Sequence, residues 1–448
     1  MNTQETIALL RDYESRNVLF TEADGLWPIV WERARGVHVW DAEGKKYLDL
    51  TAAFGVAAAG HANANVVRAG QQQMATLLHA MGDVHPHALK AQLARELSRL
   101  TFERWTNRQS GKVIFSNSGF EAVESALKTA LLATGRRGVI AFEGAYHGLG
   151  YGALNATHRE HFRSPFRSQL RGFGHFVPFP KAGQASCLPN NQPKLGRQAA
   201  CPTLTAVEAR IRRIFHREKI GAILVEPVQA RGGIRIPLPE FLPLLRKLCD
   251  EHGALLILDE IYTGLGRTGK WFACEHHGVK PDLICLGKAL TGGFPLSACV
   301  GRADLMDAAW PASTGEAIHT STFLGHPVGC AMALAQISEI RRLKLCERSA
   351  MLGKFLLGEL ASIQYLKLEI KNSARGLGLM AGLELNLPNG QPATKAALTA
   401  IKKLLQRGYI FLPEGEHGNV ISFTPPLTIT RAQLATAVGA LKKILTAD

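Results

Sequence analysis

Short apolar runs alternate with amphipathic stretches through the middle of the chain. The runs are Val113–Phe115, Gly138–Phe142, Ile223–Pro227, Leu255–Asp259 and Leu283–Leu286, and among them Glu121–Ala133 and Glu240–Glu251 carry helical periodicity. Continuous apolar runs read as strands buried on both faces, and strands alternating with helices predict a mainly parallel sheet. Two runs end alike: Ala254–Leu258 leads into Asp259-Glu260, and Leu283–Leu286 leads into Gly287-Lys288, 29 residues after Asp259. Parallel strands would deliver both charged side chains to one sheet edge. In open α/β sheets, ligands bind beyond the carboxyl ends of the strands.

The flanking patterns differ. Val37–Asp41 and Lys46–Leu50 enclose Glu43-Gly44 and predict a hairpin. Helix-forming sequence follows over roughly 66–100, and the polar stretch 181–205 predicts a surface loop. Near the end, helices are expected around 328–361 and 393–407, with short strands around 376–385 and 420–424. The expected class is α/β: a large domain over 56–325 with a mainly parallel sheet, and a smaller α+β domain over 326–448 joined by the segment 1–55. The chain shows no internal repeat.

Composition narrows the picture. A chain of 448 residues with 46% hydrophobic and 20% charged residues can bury large cores. The charge of 52 − 37 = +15 is spread along the chain without a basic block. That favours a basic surface or anionic ligands, and no nucleic-acid partner is expected. The eight cysteines, Cys187, Cys201, Cys249, Cys274, Cys285, Cys299, Cys330 and Cys346, form no C-x-x-C pair. Dispersed cysteines read as reduced, no run reaches the roughly 20 apolar residues of a membrane span, and a cytoplasmic location is expected. His85-Pro86-His87 and His276-His277 lack metal-site spacing, so no metal is expected. Gly264–Gly269 fits G-x-G-x-x-G, but Asp259–Tyr262 stand between the strand and the turn, and no acid follows at the required distance.

Three places carry candidate chemistry. Val113–Phe115 runs into Ser116-Asn117-Ser118-Gly119-Phe120-Glu121, a turn that would present free N–H groups and a hydroxyl to a phosphate. An ordinary capped helix gives the same pattern. Glu143-Gly144-Ala145-Tyr146-His147-Gly148 places an aromatic where it could stack on a flat ring or pack on the core. Lys288 and Asp259 complete the set: an amine can condense with an aldehyde, and a carboxylate can keep a pyridine nitrogen protonated.

Together these segments resemble the class III pyridoxal-phosphate-dependent aminotransferases, the ornithine, acetylornithine, 4-aminobutyrate and ω-amino acid group. The resemblance runs through SNSGFEAVESALK, FEGAYHG, VEPVQ, LLILDEIYTGLGRTG, LGKALTGGFPLSA, HTSTFLGHPVGCAMALA and NVISFTPPLTI, covering nearly the whole chain. It implies fold type I, pyridoxal 5′-phosphate, an amine or amino acid donor, a 2-oxo acid acceptor and ping-pong transfer. By position it implies that Lys288 bonds the cofactor and shuttles a proton, that Asp259 partners the pyridine nitrogen, and that Ser118, Gly119 and Phe120 hold the phosphate. Tyr146 matches the stacking aromatic with His147 beside it, and Glu226 lies under the cofactor. Thr322 matches a threonine that reaches the other subunit's phosphate, which implies a homodimer with shared sites.

The departures fall on substrate positions. Tyr262 stands where the family usually has Gln, and a phenol can donate the same bond. Arg231 stands where many members have Glu, and Ser422 where many have Arg; in the family that Glu and Arg form a substrate switch. Arg231 is the candidate for carboxylate binding, with a solvent-facing side chain as the alternative. Leu149 stands where members acting on 4-aminobutyrate often carry Arg, which makes that donor a weaker expectation. Arg159, Arg163, Arg167 and Arg171, spaced by four, would share one face if helical and could attract an anionic substrate, with a solvated face as the stronger expectation. Other pyridoxal-phosphate reactions and a non-catalytic binding protein share these motifs.

Overall fold

In a computed structural model, residues 1–448 are described apart from 23–24, 26, 107–108, 181–202, 364–369 and 447–448. Seven strands form the central sheet in the order Gly111–Ser116, Ser297–Arg302, Leu283–Leu286, Leu255–Asp259, Ile220–Val225, Gly138–Phe142, Gly174–Val177. All paired neighbours are parallel except around Ser297–Arg302, which is antiparallel on both sides. The apolar runs explain this arrangement. Ile220–Val225 and Gly138–Phe142 are buried at every position, so neither sheet face is open to water.

The sheet edge is shaped by its helices. Gly119–Thr134 starts from a capping box in which Ser118 and Glu121 bond reciprocally, and it stops at Gly135 in the left-handed region (φ +63°). Phe241–His252 ends the same way at Gly253 (φ +60°).

Two smaller sheets lie outside the central one. Trp31–Arg35, His38–Asp41 and Lys46–Asp49 pair in sequence, and Tyr409–Ile410 joins in parallel to Leu48 and Asp49. Lys371–Leu377, Met380–Asn386, Val420–Phe423 and Leu412–Glu414 form an antiparallel sheet. Thus the N-terminal hairpin and the C-terminal segment share one sheet. The G-x-G-x-x-G loop ties these parts to the core: Arg267, 1% exposed, donates to the carbonyls of Leu379 (3.0 Å) and Pro425.

Several elements differ from expectation. The stretch 66–100 folds as two helices, Ala64–Thr76 and Ala88–Leu100. Pro86 cannot continue a helix, and His87 caps the second helix through Nδ1, which accepts the Lys90 N–H at 3.3 Å. The stretch 328–361 is also two helices, Pro327–Arg342 and Leu345–Ala361, broken at Lys344 (φ +50°). Of the expected loop 181–205, residues 181–202 lie outside the described residues. Its end is helical, because Thr203 caps Leu204–Arg217. The strands Gly174–Val177 and Ser297–Arg302 and the helix Thr3–Tyr13 have no sequence-based counterpart.

Candidate active site

Five chain segments meet at the carboxyl edge of the central sheet. They line a cavity of about 340 Å³ that includes Gly119, Phe120, Tyr146, His147, Glu226, Arg231, Asp259, Tyr262 and Lys288. Asp259 closes its strand, and Lys288 stands two residues beyond the neighbouring parallel strand, so both point past the same edge. Asp259, 5% exposed, is fixed by two donors: His147 Nδ1 lies 2.8 Å from Oδ2, and the Ile261 N–H reaches Oδ1 at 3.1 Å. The His147 backbone N–H donates to Thr157 Oγ1 (2.9 Å), while its buried Nε2 has no hydrogen-bond partner among the described residues.

Glu226 braces the floor. Its carboxylate accepts the N–H of Tyr146 (3.0 Å) and of Ala230 (3.2 Å), which joins the two loops that flank the cavity. Burial pushes its pKa up to about 7, Asp259 adds to the rise, and His147 opposes it. Lys288 Nζ sits 4.7 Å from the centre of the Tyr262 ring. Burial lowers the Lys288 pKa below the usual lysine value, and Asp259 and Glu226 partly restore it. Lysine nearer neutrality is a better proton acceptor at ordinary pH.

The phosphate turn differs in one detail from its sequence reading. The Ser118 hydroxyl donates to Glu121 Oε2 at 3.0 Å, so the capping box occupies it. What the turn offers is the start of the helix Gly119–Thr134. A Cβ at Gly119 would come within 3.1 Å of Ile261, so glycine permits this close approach. The Tyr262 hydroxyl is bonded to Thr424 Oγ1 at 3.1 Å.

At the rim, Arg231 lies with its guanidinium 5.3 Å from the Tyr146 ring centre and 6.0 Å from that of Phe54. Its Nε is 3.7 Å from Glu414 Oε2. Arg159 donates to the Arg231 carbonyl oxygen, and burial followed by the Arg231 charge lowers the Arg159 pKa. The solvated arginine face is therefore corrected. Only Glu160–Arg163 is α-helical, a 3-10 turn Ser164–Gln169 follows, and Arg159 is drawn into the site. Glu414, Phe54 and Thr424 were missed by sequence reasoning, and Arg159 was assigned there chiefly to a solvated face. The one faint signal was the pair of acids in Leu412-Pro413-Glu414-Gly415-Glu416.

Ser422 and Thr322 do not line this cavity. Ser422 is buried and donates to the Leu412 carbonyl at 3.0 Å, while Thr322 is exposed beside exposed Phe323. Among the described residues, no cluster of three metal-ligating side chains occurs and no helix is long and apolar enough to cross a membrane.

The donor set fits pyridoxal phosphate: an amine, a carboxylate held by two donors, an aromatic ring, a histidine with a free buried nitrogen and a helix start at one edge. Fold and site together describe a pyridoxal-phosphate-dependent transferase of fold type I, with a mainly parallel sheet and smaller antiparallel sheets. The family model for aminotransferase class-III matches residues 20–445, and the chain belongs to that family.

The chain is 36% identical to a putrescine aminotransferase of Pectobacterium atrosepticum over 99% of this chain and 88% of that protein. It is 37% identical to the 5-aminovalerate aminotransferase DavT of Pseudomonas aeruginosa over 92% of each. Among solved structures, the ornithine aminotransferase of Toxoplasma gondii superposes with a TM-score of 0.82 at 27% identity, covering 100% of this chain and 96% of that one. A PLP-bound amine transaminase from an uncultivated Pseudomonas species gives 0.82 at 28% identity, covering 97% and 98%. The protein is a pyridoxal-phosphate-dependent aminotransferase that moves an amino group from an amine or amino acid to a 2-oxo acid by the ping-pong route general to the family.

Proposed function

We propose that the donor is a terminal primary amine, carried by a diamine or an ω-amino acid, and that Lys288 and Asp259 are the catalytic residues. The relatives named for putrescine and 5-aminovalerate share such a donor end. The observation that supports the reading above all is the convergence of Lys288, Asp259 and His147 at one sheet edge, with Asp259 and His147 2.8 Å apart.

When bound, pyridoxal phosphate supplies an aldehyde that takes up the amino group and a ring that accepts the electron pair left by proton removal. Asp259 holds a proton at the pyridine nitrogen, and its orientation is set by His147 and the Ile261 N–H. Lys288 Nζ would take up the proton from the carbon that bears the donor's amino group and hand it back, a role suited to an amine whose pKa burial has lowered. Tyr146 would cover the ring, Glu226 fixes the loop carrying Tyr146, and the N–H groups of Gly119 and Phe120, left free by the capping box, would take the phosphate. Tyr262 places its ring beside Lys288, while its hydroxyl is held by Thr424. Arg231 faces the substrate's far end.

The same reading divides the chain at about 55 and 325 and makes the protein a homodimer. Exposed Leu77, Leu78, Met81, Val84, Ile318 and Phe323 supply apolar surface for a second copy near Thr322. A cytoplasmic location is part of the reading, and the six described cysteines are all unpaired and buried.

The test is visible absorbance of the purified holoenzyme during titration with α- and ω-amines in the absence of an acceptor. Conversion of the lysine-bound band to the amine form by terminal amines is expected. Conversion by α-amino acids alone would overturn the donor assignment. Sedimentation at micromolar concentration should give twice the chain mass, and a monomer would overturn the shared site.

A further inference from the structure

Arg231 is held in an unusual way. Its backbone is fixed, because its carbonyl accepts both the Gly415 N–H (3.2 Å) and Arg159. Its side chain donates no hydrogen bond among the described residues, its buried Nε included. Structural arginines of this protein are bonded closely: Arg246 lies 2.7 Å from Asp282, and Arg375 lies 2.6 Å from Glu384. Arg231 meets Glu414 only at 3.7 Å, too long for a hydrogen bond. A guanidinium lining a cavity with its donors unused is ready for a planar anion.

Glu414 is the counterpart. It ends the strand Leu412–Glu414, is 4% exposed, and is positioned by pairing with Val420. In the same ladder Leu412 faces Ser422, so Glu414 and Ser422 share one face of that sheet. Ser422 is short and turned to the Leu412 carbonyl, and the other acid of the face, Glu384, is bonded to Arg375, so Glu414 is the acid that faces Arg231. The charges of Arg231 and Glu414 both reach Lys288, so they sit within electrostatic range of the reacting end.

We infer that Arg231 and Glu414 form a two-way acceptor for the far end of the donor, Arg231 taking a distal carboxylate and Glu414 a distal ammonium. This rests on the terminal-amine reading above. The loose pair is the resting state, in which each group screens the other. A carboxylate draws Arg231 to itself, and an ammonium replaces the Arg231 charge beside Glu414. Compared with the arrangement that the family resemblance implies, acid and base have exchanged places, and the acid comes from a different strand.

The experiment compares the holoenzyme with Arg231→Ala, Arg231→Lys and Glu414→Gln. The donor half-reaction is followed by absorbance with 1-aminobutane, 1,4-diaminobutane and 5-aminopentanoate. Binding of glutarate, an inert dicarboxylate, is measured by calorimetry. Arg231→Ala should lower the rate ratio of 5-aminopentanoate to 1-aminobutane by roughly 10- to 100-fold and weaken glutarate to a similar degree. Arg231→Lys should restore part of both. Glu414→Gln should lower the ratio of 1,4-diaminobutane to 1-aminobutane by about tenfold and tighten glutarate. If all three donors change together in every variant and glutarate binding stays at the wild-type level, the acceptor is overturned while the aminotransferase reading stands. If wild type converts none of the donors, the donor reading falls, and glutarate binding that ignores Arg231 then overturns the acceptor too.

Discussion

The floor and the rim of the cavity are built differently. On the floor, Asp259, His147 and Glu226 are tied by hydrogen bonds of 2.8 to 3.2 Å, and they issue from the ends of parallel strands. At the rim, Arg231 and Glu414 stand 3.7 Å apart, on a loop and on a short strand of another sheet. Chemistry common to many donors needs the rigid geometry of the floor, because reacting groups lose rate with small misplacements. Choice among donors needs charges that can change partners, and a tight pair could not open for a ligand at tolerable cost.

The sharpest break in this contrast is Lys288→Ala, which should reduce turnover on the order of 10⁴-fold with every donor, read by steady-state assay. Turnover near the wild-type rate would show that the floor lies elsewhere. Asp259→Asn comes next, with a loss of about 10³-fold and no change in donor preference. A shift in preference would blur the division between floor and rim. Gly55→Ala tests the joint between them: Gly55 has φ +81°, and a Cβ there would meet the Tyr262 ring at 2.3 Å. A stability loss of about 1–3 kcal/mol is expected in chemical denaturation.

The pH dependence of the rim is a finer test. Burial raises Glu414 to about 7, and Arg231, Arg159 and Lys288 pull it downward. Below that pH the carboxyl is neutral and Arg231 stands uncompensated; above it the acid competes for Arg231. Glutarate affinity should therefore fall roughly 3- to 10-fold as pH rises through about 7, and Glu414→Gln should flatten the profile. The smallest effect is expected from Arg167→Ala. Its partner Glu160 is 58% exposed and Arg167 itself 71%, so activity and stability should match wild type within error.

Much of the floor was legible in the sequence because Asp259, Glu226 and Lys288 lie at or just beyond the end of a buried strand. An apolar run fixes the strand, the strand fixes the edge, and the next polar side chain must project beyond it, as Asp259, Glu226 and Lys288 do. That no single helix spans 66–100 was legible in principle too, since Pro86 stands inside the stretch just before the second helix. The arginines spaced by four from Arg159 misled, since periodicity alone cannot reveal that the helix stops at Arg163.

By itself the sequence determined the α/β class and the family, and it pointed to Asp259 and Lys288 at one sheet edge, because local patterns of burial and turn chemistry carry that information. The tertiary structure alone decided that Glu414 lies opposite Arg231, 183 residues earlier in the chain (414 − 231), and that Arg159 turns inward to the same place. Those meetings arise from how the C-terminal sheet packs against the cavity. A contact between distant segments leaves no periodic signature in either one.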